Sequence, residues 1–277
     1  MSSVSVNGTA TTAAALARPV RAHGVGAFLR DTGLITRRHL LQTRRTPQIL
    51  VLSAIMPIMF VLLFRYVFGG SIRVPGYPSY VDYLIPGVLV QTVIFGASST
   101  AVGLADDLSK GMTDRFRSLP THRGAILAAR TVADVIRLSY TVALLIGVGL
   151  LVGFRMHTNV LEVLGGLGIA LVFGYACSWL FALLALVVRH TETAQLAAFV
   201  VTFPFVFAAS TFTSTATMPG ALRAFADAQP VTKVVDALRA MMEGTGSAGR
   251  PALYALAWSA GILVVAATLA TWRFRKI

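Results

Sequence analysis

The sequence predicts an all-α membrane protein: six transmembrane helices, an N-terminal amphipathic interface helix and an outer helical hairpin before the last span. Three observations predict it. Apolar residues fill 56% of the 277 positions and charged residues only 13%, and the mean hydropathy is +0.73, far from the averages of soluble domains. The apolar residues collect in six runs, each close to the roughly 20 residues that a helix needs to cross a bilayer core about 30 Å thick. The basic residues lie between those runs rather than on one water-facing surface, so the net charge of +13 speaks for membrane topology and against a nucleic-acid partner.

The runs cover about residues 49–68, 83–105, 132–154, 163–188, 196–217 and 252–272. Pro57, Pro86 and Pro204 fall inside them and are expected to kink the helices without breaking them, because neighbouring helices re-satisfy the freed carbonyls. Asp134 and Arg137 stand one turn apart at the start of the third run, where they can pair or reach the headgroups. With an even number of spans, sixteen of the 24 lysines and arginines fall on the side of the termini and seven on the other, with Arg137 left in the membrane or at its interface. The positive-inside rule then puts both termini in the cytoplasm. Localisation in a bacterial cytoplasmic (inner) membrane, as a multi-pass protein, fits this count and the richness in alanine, glycine and arginine.

Residues 1–25 are small and polar and lack the apolar core of a secretory signal; they read as a flexible tail before a transmembrane domain of residues 26–277. Residues 26–46 place Phe28, Leu29, Ile35 and Leu40 among five arginines, the pattern of a basic helix in the headgroup layer. Between the fifth and sixth runs, residues 218–244 carry prolines at the starts of two short helical patterns. Each is too short to cross, which predicts a hairpin on or re-entering the outer face.

Chemistry-bearing motifs are missing. There is no Walker-type loop, HExxH or nucleophile elbow, and the five histidines are scattered over tails and loops. Cys177, the single cysteine, lies in an apolar run. The glycine run GVGLLVG at 147–153 reads as close helix packing. These absences predict a non-catalytic transport subunit with no metal or cofactor of its own. No acid lies at the centre of any span, which counts against a proton relay. Any uphill transport then draws its energy from a gradient or from a partner.

One loop stands out. Between the second and third runs, DRFRSLPTHRG at 114–124 sets Asp114, Arg115, Phe116, Arg117, Ser118, Leu119 and Pro120 in a row. Phe116 and Leu119 share one face of a short helix that Pro120 stops, giving an amphipathic peg that displays an aromatic. Such a residue is a typical interface anchor, while the arginines by themselves can simply set topology.

DRFRSLPTHRG, the DYLIPGVLVQ that opens the second run and the QPVTKVVDALRAMMEG before the last resemble the membrane subunit of type-2 ATP-binding-cassette exporters, especially daunorubicin-resistance permeases. The resemblance covers about residues 25–277. Thr121 and His122 depart from the usual pattern beside the peg. The resemblance implies that the segment from Asp114 to Pro120 is a coupling helix docked on a separate ATP-binding-cassette ATPase. It implies two copies of the chain forming the pore over two ATPase subunits, which would hold ATP and Mg, and export of a hydrophobic or amphipathic compound such as a drug, antibiotic or lipid. It also implies a substrate path lined by the first, second and fifth spans. There the second offers Gln91, Thr92, Ser98, Ser99 and Thr100, and the fifth offers Phe199, Phe203 and Phe207 at intervals of four. That phenylalanine stripe either stacks a flat cargo or faces lipid or a neighbouring helix. A secondary carrier or channel acting without an ATPase, and a membrane anchor with no transport, are the competing readings.

Overall fold

The computed structural model describes residues 25–45, 47–69, 72, 74, 76–110, 123–244 and 246–276, and among them it is all-helical. In chain order the helices are α1 (Val25–Arg45), α2 (Pro47–Leu63, prolonged by a π turn at Phe64–Phe68), α3 (Tyr80–Ser109), α4 (Arg123–Val152), α5 (Val160–Val188), α6 (Thr191–Phe207), α7 (Gly220–Ala228), α8 (Pro230–Glu243) and α9 (Gly249–Lys276). The tail at 1–24 and the segment from Asp114 to Pro120 lie outside the described residues.

Local chemistry sets the helix ends. The Ser79 hydroxyl accepts from the Val81 amide at 3.3 Å to open α3, and Asp82 in the first turn suits the positive end of the helix dipole. Asn159 opens α5 in the same way, accepting from the Glu162 amide at 2.8 Å and donating to the Glu162 carboxylate at 3.2 Å. Gly153 leaves the end of α4 with a φ of +105°, a conformation open to glycine and costly for other residues.

The core is built around α3, whose residues are all buried from Tyr80 to Ile94. α5 and α6 pack on it, α9 packs along α5, and α8 wedges between α3, α5 and α9. α1 lies along α4, where the Thr36 hydroxyl donates to the Ala129 carbonyl at 3.2 Å. α2 buries little of its apolar surface: Val51, Leu52, Met59 and Tyr66 are each more than half exposed. An apolar helix exposed in this way belongs against lipid or another protein surface.

Among the described residues, five helical segments are long and apolar enough to cross a membrane: Val51–Phe68, Tyr80–Ser109, Gly124–Val152, Val160–Val188 and Gly249–Phe274. The sequence differs from this at two places. The fifth run, drawn over 196–217, becomes α6 at Thr191–Phe207, with 17 residues and a rise of about 25 Å. The chain then turns at 208–214, because the carbonyls of residues 210–212 are taken up by side chains of α3 and α8 rather than by a further turn of helix. The third run, drawn over 132–154, belongs to a helix that starts at Arg123, so Asp134 and Arg137 sit well inside α4 rather than at its start. Of the glycine run at 147–153, only Gly149 meets a neighbour closely. A Cβ there would stand 3.1 Å from Ile85, whereas Gly147 faces open space.

Candidate functional site

Helices α2, α3, α4 and α6 enclose a cavity of about 430 Å³. On α3, Gln91, Phe95 and Ser99 recur at intervals of four, and Thr92 and Gly96 follow one position behind. The helical period therefore turns all five to one face. α6 contributes Phe199, Phe203 and Phe207 by the same period. Ser53, Met56, Pro57 and Phe60 of α2 close one side; Arg137, Leu138 and Thr141 of α4 close another.

The phenylalanines form a continuous track. Ring centroids are 5.3 Å apart between Phe199 and Phe203, and 4.3 Å apart between Phe203 and Phe207, which stack at 26°. The track continues through Phe212, 5.3 Å from Phe207, to Phe64, stacked on Phe212 at 4.7 Å. Phe60 lies 6.1 Å from Phe64. Such faces favour a flat, polarisable body by offset stacking.

The polar residues of the lining are Ser53 on α2, Gln91, Thr92 and Ser99 on α3, and Arg137 and Thr141 on α4. The Arg137 guanidinium donates to the Ser99 hydroxyl at 2.5 Å, to the Gly96 carbonyl at 3.0 Å and to Asp134 at 3.4 Å. The other oxygen of Asp134 accepts from Thr100 at 2.6 Å. Asp134 and Arg137 thus tie α4 to α3 as well as pairing with each other. The Gln91 carboxamide oxygen is buried without a partner among the described residues. Arg137 is the charged side chain of the lining, and no carboxylate is part of it.

A second cluster fastens the hairpin of α7 and α8 to the bundle. Arg239 of α8 is buried and donates to the carbonyls of Tyr83 at 3.0 Å and Ser210 at 2.7 Å, and to the Ser210 hydroxyl at 3.2 Å. Tyr83 in turn donates its phenol to the Ser210 carbonyl at 2.9 Å, and Tyr80 to that of Phe212 at 3.1 Å. Gly87 makes this approach possible, since a Cβ there would lie 2.2 Å from the Thr211 carbonyl oxygen.

Nearby, His157 Nδ1 lies 2.9 Å from Glu243 Oε2, and the Thr158 hydroxyl donates to the Met241 carbonyl at 2.6 Å. Burial pushes the Glu243 carboxyl up to about 7; its contact with His157 lowers it and the charge of Asp82 raises it.

At the other end of α3 the helices that flank residues 111–122 are held together. Arg130 of α4 pairs with Asp107 of α3, its side chain passing Gly103, and Lys110 pairs with Asp106 at 2.6 Å. Among the described residues no group of three or more His, Cys, Asp or Glu could hold a metal ion.

The family model for the ABC-2 type transporter matches residues 30–242. The chain belongs to the ABC-2 type transporter family. This ABC-2 membrane subunit is 34% identical over 259 residues, 94% of its length and 89% of the relative's, to the daunorubicin resistance ABC transporter permease protein DrrB1 of Streptomyces coeruleorubidus. It is 26% identical over 249 residues, 90% of each chain, to the probable doxorubicin resistance ABC transporter permease protein DrrC of Mycobacterium tuberculosis.

The ABC-2 fold brings together six of the residues singled out as a path: Gln91, Thr92, Ser99, Phe199, Phe203 and Phe207. Ser98 points elsewhere and donates to the Phe95 carbonyl at 2.7 Å, while Thr100 is buried against Asp134. The resemblance placed the first span, α2, on the path without naming residues of it, and sequence reasoning missed the α4 wall of this ABC-2 cavity. The α2 residues carry a readable signal, since Ser53, Pro57 and Phe60 follow helical spacing within an apolar run. On α4 the signal is Arg137, which reads equally well as half of a local ion pair with Asp134.

Proposed function

We propose that the chain is the permease subunit of an ATP-driven exporter, and that the cavity between α2, α3, α4 and α6 is part of the route of a hydrophobic or amphipathic cargo. The observation that carries the reading is the phenylalanine track of α6 facing Gln91, Thr92 and Ser99 of α3, in a chain of the ABC-2 family. The cargo lays a flat apolar body along the rings and turns its polar end to Arg137.

In this reading two copies meet through the exposed apolar faces of α2 and α6, so that the cavity opens on the pore between them. Six helices cross the membrane, with α6 spanning it despite its 17 residues, and both termini are cytoplasmic. The segment from Asp114 to Pro120 rests on an ATP-binding-cassette ATPase, which supplies ATP and Mg. Two ATPase subunits close on ATP and move α3 and α4 through that segment, while α1 lies beside the ATPase and the α7–α8 hairpin belongs to the outer gate. The names of the relatives, which specify daunorubicin and doxorubicin resistance, support a drug-like cargo. Asp134, the carboxylate beside the lining, is held by Arg137 and Thr100, which argues against its use as a proton carrier.

The test is ATP-dependent uptake of a planar aromatic dye into inverted vesicles containing the chain with its ATPase. The reading expects uptake that needs both subunits and is lost in Phe116→Ala with Arg117→Glu. Uptake driven by a pH jump through this chain alone overturns it in favour of a secondary carrier.

A further inference from the structure

The two sides of α6 carry cavities of different chemistry. On one side a groove of about 480 Å³, bounded by Phe225 and Trp258, exposes apolar surface alone. On the other, the cavity of the phenylalanine track also exposes polar surface, and Arg137 is the charged side chain that lines it. What that guanidinium can hold decides the chemistry of the cargo.

Arg137 occupies the middle of the 30-residue α4. In a helix of spanning length that position lies near the bilayer midplane, where a cation is costly and is kept by its partners or by a function. The partners account for only part of this one. Its bonds to the Ser99 hydroxyl, the Gly96 carbonyl and Asp134 are all made by a single nitrogen, Nη2. Nη1, with two hydrogens of its own, and Nε make no hydrogen bond among the described residues, and neither is sealed inside the protein. These donors are open to an occupant of the cavity.

The hydroxyls of the lining have already spent their hydrogens. Thr92 donates to the Val88 carbonyl at 2.7 Å, Ser99 to the Gly96 carbonyl at 2.7 Å and Thr141 to the Arg137 carbonyl at 3.3 Å. Their oxygens remain as neutral acceptors only. Asp134 is equally committed, one oxygen to Arg137 and the other to Thr100, and it does not line the cavity. An ammonium group placed here would meet a guanidinium with no free carboxylate to offset it, whereas a carboxylate would accept a charge-assisted bond from Nη1.

We infer, resting on the exporter reading, that the cargo of this cavity is an acid: a flat aromatic body stacked on Phe199, Phe203 and Phe207, with an anionic group held by Nη1 of Arg137. Aromatic acids are preferred to neutral analogues of the same shape, and aromatic amines are not.

The experiment uses the full chain, without an ATPase, in nanodiscs of phosphatidylcholine, whose surface carries no net charge. Binding of 9-anthracenecarboxylate, 9-anthracenecarboxamide and 9-(aminomethyl)anthracene, which at neutral pH are an anion, a neutral molecule and a cation, is read from anthracene fluorescence against empty nanodiscs. The acid is expected to bind about tenfold more tightly than the amide, and the amine no more tightly than the amide. Arg137→Gln with Asp134→Asn, which leaves no orphan carboxylate, is expected to bring acid and amide to equal affinity. Arg250→Gln, at an exposed cation near the start of α9, is expected to keep the preference, which separates the site from the general positive charge of the chain. Equal binding of acid and amide in the parent, tighter binding of the amine than of the amide, a preference that survives the double substitution or one that is lost in Arg250→Gln overturns the proposal. Failure here leaves ATP-dependent uptake standing, and failure of uptake leaves the affinity ranking standing, so the two are told apart.

Discussion

The guanidinium carbon of Arg239 lies 3.5 Å from the centroid of the Tyr83 ring, while the same group donates at 3.0 Å to the carbonyl of Tyr83. One side chain thus holds the start of α3, the turn after α6 and the hairpin helix α8 in a single arrangement. Lysine cannot reproduce it, because an ammonium lacks the planar fork that reaches several carbonyls and lies flat on a ring.

Arg239→Ala is expected to destabilise the purified chain by about 3 kcal/mol, since it leaves buried carbonyls unpaired, and Arg239→Lys is expected to recover less than half of that. Thermal unfolding in detergent measures both. Arg223→Ala provides the contrast: its pair with Asp227, at 3.6 Å, is exposed on both sides and should contribute within about 0.5 kcal/mol.

Phe203 stands in the middle of the α6 track, between rings at 5.3 and 4.3 Å. Phe203→Ala removes both pairings, worth about 0.5–1.5 kcal/mol each beyond area burial. The concentration of a planar cargo that half-saturates transport should rise about tenfold. Leu161→Ala, exposed at the start of α5 and away from the cavity, should leave it unchanged.

Asp134 and Arg137 share partners on α3, so their substitutions should not be additive. Arg137→Leu alone leaves a half-buried carboxylate with its bond from Thr100 but without its guanidinium partner, at an expected cost of about 1–3 kcal/mol. Asp134→Asn with Arg137→Leu should cost less than the sum of the single changes. A double-mutant cycle of unfolding free energies reads the difference.

Glu243 gives the fold a pH dependence of known sign. Its carboxyl is raised from 4.5 to about 7 in the folded chain, so the protonated form is the one that folding favours. The contribution is fully present below pH 4.5 and is lost as the pH rises through about 7, on the order of 1–3 kcal/mol in all. Glu243→Gln should flatten the dependence of the unfolding temperature on pH across that window and leave its course outside the window as in the parent.

Much of this was legible from apolar runs alone. Five of the six drawn spans coincide with helices of spanning length, and Pro219 and Pro230 open the two short hairpin helices, as their fixed φ and missing amide hydrogen favour. The Phe199, Phe203 and Phe207 stripe was readable because helical period is a local property. Its continuation through Phe212 to Phe64 was not, because those rings meet across distant parts of the chain. The end of α6 was missed for a related reason: a run of small and hydroxylated residues after Phe207 remains compatible with a span until Tyr80, Tyr83 and Arg239 claim its carbonyls. Arg239 itself counted as one of the basic residues on the far side and as part of QPVTKVVDALRAMMEG, with no contact foreseen, because its partners include backbone oxygens and these carry no signature in sequence.

The central claim is that cargo travels along the α6 track. The most direct measurement irradiates the chain, assembled with its ATPase, in the presence of a photoreactive planar aromatic compound and maps the adducts by mass spectrometry. The account predicts adducts on Phe199, Phe203 or Phe207 and on Met56 or Phe60 across the cavity, suppressed by excess unlabelled cargo. Adducts confined to the groove at Phe225 and Trp258, with none in the cavity, would contradict it.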